Sequence, residues 1–361
     1  MYPLAMRVLL LGSGFVTPYH LAGWRHAGAE VVGIASRNAA TAGERAARFA
    51  IPAVYGEPAE AVAALRPDVV DICSPVELHL AHVRLAAAAG AAILCQKPLA
   101  ASLGDAITAA EAAHAAGVRL MVHENFRFRP WFRAAKAALV AGRIGRPFYL
   151  RSDLRLAGTV PTARHPEPWS LARQPFFRRM PRLLVLESMI HQIDVARFLL
   201  GEEPEAVVAF LRRISPEVMG EDLASLMLRF PAAHAVLERS YATLGGADPP
   251  VASEQLWVEG TQGLLRVLQD GAVELVTETA AGRREERLAV ESADAYARSY
   301  ADTIAHFAAA LRAGTPFETG PADNLRTLDA TLAAYRSAEA GSVEALPSPE
   351  LAAWLDTGGR R

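Results

Sequence analysis

RVLLLGSGFVTPYH, residues 7–20, is the stretch whose reading decides the fold. Four apolar residues, Val8 to Leu11, run into Gly12-Ser13-Gly14, and after Pro18 an amphipathic segment with Leu21, Ala22, Trp24 and Ala27 continues to Gly28 and Ala29. The pattern predicts a buried strand, a tight glycine turn and a helix. Such a turn aims backbone N–H groups and the positive end of the helix dipole at one point, which suits a pyrophosphate. In the dinucleotide fingerprint G-x-G-x-x-G the first glycine makes the turn, the second admits the phosphates and the third lets helix and strand pack closely. Here Thr17 holds the third place, so the match is partial and an ordinary strand-to-helix turn fits the same residues.

The units that follow repeat the scheme. Val31–Ala35, Val69–Cys73, Ala92–Cys95 and Val118–Val122 read as core strands, and Ala39–Phe49, Ala59–Leu65, His79–Ala89 and Leu103–Ala116 as helices. Ser102 with Asp105 three residues on has the form of a capping box. Repeated βα units of this length imply a parallel sheet with right-handed crossovers, whose ligands sit beyond the carboxyl ends of the strands. After about His123 the period changes. A connecting helix over Trp131–Ala141 leads to short alternating segments at Phe148–Leu154, Ala206–Arg213, Ser225–Phe230, Val236–Tyr241, Leu256–Glu259, Leu264–Leu268 and Val273–Thr277, which suggest a largely antiparallel sheet. One helix, Glu187–Leu200, interrupts them, and Tyr296–Arg312 and Asp323–Ala340 close the chain. Thr159–Arg182, rich in Pro, Arg and aromatics, is long for a loop and reads as functional.

A chain of 361 residues exceeds one ordinary core, so two domains are expected, over 1–123 and 124–361, the latter with closing helices after 295 that could pack back on the first. The balance of 37 basic against 39 acidic residues gives no electrostatic case for nucleic acid. Apolar runs fall well short of the roughly 20 residues of a membrane span. MYPLAMRVLLLG reads as the first strand, not a signal peptide, and Cys73 and Cys95 lack metal spacing; no metal is expected, and a reducing cytoplasm is.

Three places can carry chemistry. The second strand ends in Ala35-Ser36-Arg37, where an NAD-preferring fold usually has an acidic residue; a hydroxyl beside an arginine can receive a 2′-phosphate, which favours NADP, with NAD as the alternative. The next strand ends run into Cys73-Ser74-Pro75, with His79 four residues after Pro75, and into Gln96-Lys97-Pro98, whose proline should hold Lys97 extended at the sheet edge. Glu187 and His191, four apart, would share one helix face, with Asp194 near it; a carboxylate beside an imidazole suits a general base.

Taken in order, GSGFVTPYH (12–20), ASR (35–37), DICSPVELH (71–79), QKPLA (96–100), HENFRFRP (123–130), ESMIHQIDVARFLLG (187–201) and DNLRTLDATLAAYRSAEAG (323–341) resemble the glucose-fructose oxidoreductase / inositol dehydrogenase / MocA family of nicotinamide-dependent oxidoreductases. The resemblance implies an α/β fold: an N-terminal Rossmann doubly wound parallel sheet, and a C-terminal α/β domain whose open, mostly antiparallel sheet joins subunits into a homodimer or homotetramer. It implies that Lys97 contacts the reacting hydroxyl and the nicotinamide ribose, that His191 moves the proton, and that Glu187 stands where many relatives have Asp. Gly12, Ser13, Gly14, Phe15, Val16, Ser36, Arg37, Cys73, Ser74, Pro75, His79, Gln96, Lys97, Asn125 and Arg127 would line the cofactor. His165, Trp169 and Arg173, with Arg127, Lys97, Glu187 and His191, would reach a substrate. Three residues depart from the family pattern: Gln96 replaces a glutamate, Glu187 an aspartate, and Met189 a glycine common in the family. The expected activity is interconversion of a secondary alcohol and a ketone on a sugar, cyclitol or related polyol. A glycosidase or lyase using tightly bound NAD(P) for transient oxidation is one alternative, and a non-catalytic NAD(P)-binding regulator another.

Overall fold

The structure, a computed structural model, describes residues 5–247, 253–291 and 293–358. The first half of the chain runs β1 (Arg7–Leu11), α1 (Thr17–His26), β2 (Glu30–Ala35), α2 (Ala39–Phe49), β3 (Val54–Tyr55), α3 (Pro58–Leu65), β4 (Val69–Ile72), α4 (His79–Ala88), β5 (Ala92–Gln96), α5 (Leu103–Ala115) and β6 (Leu120–His123). There follow α6 (Pro130–Val140), β7 (Pro147–Arg155), α7 (Trp169–Arg173), a π-helical turn (Leu184–Met189) and α8 (Ile190–Leu200). The chain then forms β8 (Ala206–Arg212), β9 (Leu223–Arg229), β10 (His234–Ser240), β11 (Gln255–Gly260), β12 (Gly263–Val267), β13 (Val273–Thr279) and β14 (Gly282–Leu288). It closes with α9 (Ala295–Ala313), α10 (Pro321–Ala340), β15 (Glu344–Ala345) and α11 (Pro349–Asp356). Met1–Leu4, the start of the segment read as the first strand, lie outside the described residues.

The chain divides into two compact units. One comprises the residues up to Asn125, Ala297–Leu328 and those from Pro349 on; the other comprises Phe126–Tyr296 and Asp329–Ser348. In the first unit six parallel strands lie in the order β3-β2-β1-β4-β5-β6. Parallel strands carry helices on both faces and so read as continuous apolar runs; Val8–Leu11 and Ile93–Cys95 are fully buried. The chain leaves β1 for β2 and β3, then returns to place β4 on the other side of β1. That reversal opens a crevice outside the carboxyl ends of β1 and β4, where ligands of such sheets bind. Ser102 caps α5 as expected, its hydroxyl accepting the Asp105 N–H at 3.1 Å. The Trp24 ring on α1 meets Phe307 of α9 edge-on at 5.8 Å, and a Cβ at Gly23 would lie 2.6 Å from the Ile304 side chain. Thr319 continues the sheet edge: its carbonyl accepts the Val122 N–H at 2.9 Å and its hydroxyl donates to the Val122 carbonyl at 2.6 Å.

The second unit is built on a nine-stranded sheet, β14-β13-β12-β11-β7-β10-β9-β8-β15, antiparallel except for the β7–β10 pair. Helices α6 and α8 contact it, covering alternate residues such as Leu150, Leu154, Leu237 and Val258, while Arg151 and Glu238 face outward as an ion pair at 3.0 Å. Three features depart from the sequence reading. Strand β14, GRREERL, has no apolar alternation and pairs through its backbone with β13, Arg287 opposite Glu274 and Arg283 opposite Glu278. Thr159–Arg182 is not one irregular loop: α7 and a 3-10 turn at Pro175–Arg179 contribute Leu171 and Phe177 to a small core with Leu183 and Val218. The helix expected over Glu187–Leu200 begins three residues earlier, as the π-helical turn.

Gly12 has φ +114°, and a Cβ there would fall 2.5 Å from the Cys73 carbonyl oxygen and 2.8 Å from the Ser74 nitrogen. Gly12→Ala is therefore expected to lower unfolding free energy by roughly 2–5 kcal/mol, combining backbone strain with overpacking against atoms that cannot turn away. Urea unfolding measures this, and a loss below about 0.5 kcal/mol would contradict the close approach.

Candidate active site

At the carboxyl end of β1, Gly12 makes the turn and Gly14 faces open space, so a ligand phosphate could approach its backbone. Thr17, in place of a third glycine, is buried and its hydroxyl donates to the Gly12 carbonyl at 3.4 Å. The first turn of α1 holds no acidic residue, and Phe15 and Val16 are half-buried before it. Ser13 Oγ lies 2.9 Å from Ser36 Oγ and 2.5 Å from Thr41 Oγ1, which ties the glycine turn to the end of β2. Asn38 caps α2 by accepting the Thr41 N–H at 3.1 Å, and Arg37 is exposed beside it. This rim of hydroxyls, a helix start without carboxylates and an exposed guanidinium fits a dinucleotide's phosphates and ribose.

The ends of β4 and β5 lie next along the same edge. Cys73 and Cys95 are buried thiols, both pushed well above their usual range by burial and then by the Asp71 charge. Asp71 is fully buried and faces three donors: His20 Nδ1 at 2.8 Å, Trp24 Nε1 at 2.6 Å and the Cys73 thiol at 3.6 Å. The Gln96 amide nitrogen lies 2.6 Å from His20 Nε2 and 3.2 Å from His123 Nδ1, and the Tyr300 ring packs on both imidazoles. Lys97 follows, half-buried, joined to Pro98 by a cis peptide bond. His79, only 1% exposed, has Nδ1 2.9 Å from the Pro98 oxygen and Nε2 2.9 Å from the Ser74 oxygen, so its ring sits between two backbone carbonyls and, when neutral, donates to one of them. Burial lowers its pKa, and those carbonyls pull the other way. The imidazole that stands partly open here is one the sequence reading passes over: His82, with Nδ1 2.9 Å from Ser74 Oγ. One helical turn after His79, its spacing could have marked it. Asn125 donates to Ser299 Oγ at 2.7 Å, both buried.

In the second unit the π-helical turn carries Glu187, half-buried, and leads directly into His191 on α8, whose ring stacks on Phe126 at 3.8 Å and 5°. π-Helical turns are frequent at functional sites. This one is held from outside: Glu221 accepts the Val185 N–H at 2.9 Å and the Leu183 N–H at 3.3 Å. Tyr335 donates to Glu221 at 2.6 Å and accepts the Leu186 N–H at 3.0 Å. Glu221 stands in no motif, and Tyr335 lies in the 323–341 stretch without being singled out there. The Arg127 guanidinium is buried and doubly bonded to Asp194, at 2.8 and 2.5 Å, so Asp194 serves this pair. Ser188 lies 2.8 Å from Tyr241 Oη and accepts from Arg239 at 2.5 Å. Arg173 lies over Trp169 at 5.0 Å and over Tyr296 at 5.3 Å, and His165 is half-buried before α7.

Fold and strand-end chemistry together define a dinucleotide-binding oxidoreductase scaffold. The comparisons agree: residues 6–124 match the model of an oxidoreductase family with an NAD-binding Rossmann fold, and residues 132–266 match the GFO/IDH/MocA C-terminal domain. The chain belongs to the GFO/IDH/MocA family of oxidoreductases. It is 35% identical over 351 residues to D-apiose dehydrogenase of Paraburkholderia graminis, covering 94% of this chain and 90% of that protein. It is 28% identical to inositol 2-dehydrogenase of Rhizobium meliloti, over 92% and 97% of the two chains. An oxidoreductase from Agrobacterium radiobacter, solved with NAD+, L-tartaric acid and magnesium, superposes with TM-score 0.85 at 30% identity, over 94% of this chain and 98% of that one.

Burial first, then the His79 and Arg37 charges, push His82 from the ordinary 6.5 down to about 4. In that window the unfolded chain binds more protons than the folded one. Stability attributable to this group therefore falls as pH drops from about 6.5 to about 4, and falls no further below. His82→Gln should accordingly lose less melting temperature than the wild type between about pH 7 and about pH 4.5. Parallel melts at the two pH values measure it, and equal losses would refute the assignment.

Proposed function

We propose that the protein is an NADP-preferring oxidoreductase that interconverts a secondary alcohol and a ketone on a sugar, cyclitol or related polyol. The observation that carries the reading is the placement of Lys97 at the carboxyl end of β5, on the sheet edge that bears the glycine turn, in a chain 35% identical to a D-apiose dehydrogenase. NADP is favoured by Ser36 and Arg37 where an acidic residue would select NAD, with Ser36 anchored through Ser13. A dinucleotide held by the glycine turn, Ser36 and Arg37 would supply hydride-transfer chemistry for the carbinol carbon. His191, supported by Glu187, takes or returns the hydroxyl proton, and its stacking on Phe126 limits the rotation of the imidazole. Lys97 hydrogen-bonds the same oxygen and stabilises the negative charge that develops there. The reading requires Lys97 and His191 to act on one carbon. His165, Trp169 and Arg173 face the rest of the polyol, and Arg127 supports the site through Asp194.

The same reading includes self-association as a homodimer or homotetramer. The outward face of β8 and β9 supports it: Phe210 is 72% and Met227 48% exposed, an apolar face that a second copy would cover. A cytoplasmic, reducing setting fits two free, buried thiols.

In parallel fluorescence titrations NADPH is expected to bind more tightly than NADH, and tighter NADH binding would overturn the cofactor preference. With D-apiose and myo-inositol in the substrate panel, Lys97→Met and His191→Ala should each lower kcat by about 10²-fold or more while dinucleotide Kd stays within about 3-fold. Full turnover in either variant removes its assigned role.

A further inference from the structure

The loops after β4 and β5 carry different parts of the proposed site, and one buried side chain joins them. Ser74 follows β4 and its backbone nitrogen abuts Gly12, while Pro98 follows Lys97. His79, at the start of α4, reaches the Ser74 carbonyl with Nε2 and the Pro98 carbonyl with Nδ1, each at 2.9 Å. A neutral imidazole donates from one nitrogen only, so one carbonyl is hydrogen-bonded and the other stands against the second nitrogen; the rigid ring between them sets their separation. Lys97 is thus pinned on both flanks. Before it, the Gln96 amide sits on His20 and His123; after it, the Pro98 carbonyl sits on His79.

We infer that His79 is a positioning residue: it holds Lys97 in register with the glycine turn, and so with the reactive end of a bound dinucleotide. The inference rests on the proposed role of Lys97 for its kinetic consequence, though not for the brace itself. No shorter side chain spans the two carbonyls. Asn would reach one at most, freeing the Pro98 turn from the Ser74 loop. Misplacement of a catalytic group by about 1 Å can cost about 10²-fold in rate.

Two measurements on the full chain test this. The sequence has only two lysines, Lys97 and Lys136. Lys136 lies on α6 and donates to the Leu199 carbonyl at 3.3 Å, so it serves as an internal reference. Reductive methylation with formaldehyde and cyanoborohydride, read by peptide mass spectrometry, should proceed several-fold faster at Lys97 in His79→Asn than in wild type, relative to Lys136. An unchanged ratio overturns the brace, whatever the protein's reaction. The second measurement is a double-mutant cycle on single-turnover hydride transfer, with D-apiose as probe and rates normalised to bound NADPH, so that unfolded protein drops out. His79→Asn should slow transfer about 10- to 100-fold in the wild-type background and by less than about 3-fold in the Lys97→Met background. Equal losses in both backgrounds would show that His79 acts independently of Lys97 and would overturn the proposal. Wild-type transfer in His79→Asn, with Lys97→Met impaired, overturns the proposal alone. Wild-type transfer in Lys97→Met overturns the reading of Lys97 and the kinetic half of the proposal with it, leaving the labelling ratio to judge the brace. His79→Gln, which keeps one long-reaching donor, should recover part of the loss.

Discussion

Between the Cα of Gly12 and the carbonyl of Cys73 there is room for a hydrogen atom and nothing larger. The constraint follows from sheet order. β1 and β4 are adjacent parallel strands in register, Leu11 beside Ile72, so the first residues beyond them leave the sheet side by side. One of the two chains must turn at once without a side chain in the way. That turn is what sends the helix α1 away with its N-terminus directed at the crevice. The hydroxyl bonds among Ser13, Ser36 and Thr41 then fix the turn to β2, so three strand ends share one backbone-defined floor. A floor made of backbone and short side chains has few rotamers to lose when a ligand settles on it.

The sheet above this floor tolerates one carboxylate. Asp71 is buried in the middle of a parallel sheet, where an ionised group without partners is costly, and its donors His20, Trp24 and Cys73 offset that cost. Gln96 enters the same cluster from the next strand. An amide brings two N–H hydrogens, and two imidazole nitrogens stand within reach to accept them, which directs the His20 proton to Nδ1 and toward Asp71. A carboxylate at position 96 brings no hydrogens and would add a second buried negative charge beside Asp71. Gln96 therefore matches the residues around it, and Gln96, His20 and His123 have to be read as one set.

The first unit was legible because its strands are buried on both faces and announce themselves as apolar runs, with glycine and proline marking the turns between them. β3 and β15, two residues each, are too short to show a period, and β14 hides its strand nature behind a run of Arg and Glu. The segment 159–182 looked irregular since its apolar residues, Leu171 and Phe177, pack on Leu183 and Val218 and not on the main sheet. Sequence also places charged residues near a site without saying what they bond. Arg127 reads as a ligand contact, and its guanidinium is also bonded to Asp194, which spacing alone puts beside His191. Such pairings join residues distant in sequence, and no local pattern encodes them.

The π-helical turn is the strongest case of a shape that only tertiary structure can supply. Four-residue spacing predicts that Glu187 and His191 share a face if both lie on one α-helix, but Glu187 lies on the wider turn and His191 on the α-helix after it. A wider turn misaligns the backbone bonds at its start, and Glu221 and Tyr335 collect the N–H groups of Leu183, Val185 and Leu186. Burial and the adjacent Glu221 charge raise the pKa of the tyrosine far above its usual range, which keeps its hydroxyl protonated and a donor to Glu221. The direction in which Glu187 leaves the backbone is thus set by a strand-flanking carboxylate and by a tyrosine of the penultimate helix. Whatever a carboxylate at that position does for His191 depends on those two residues as well as on its own length.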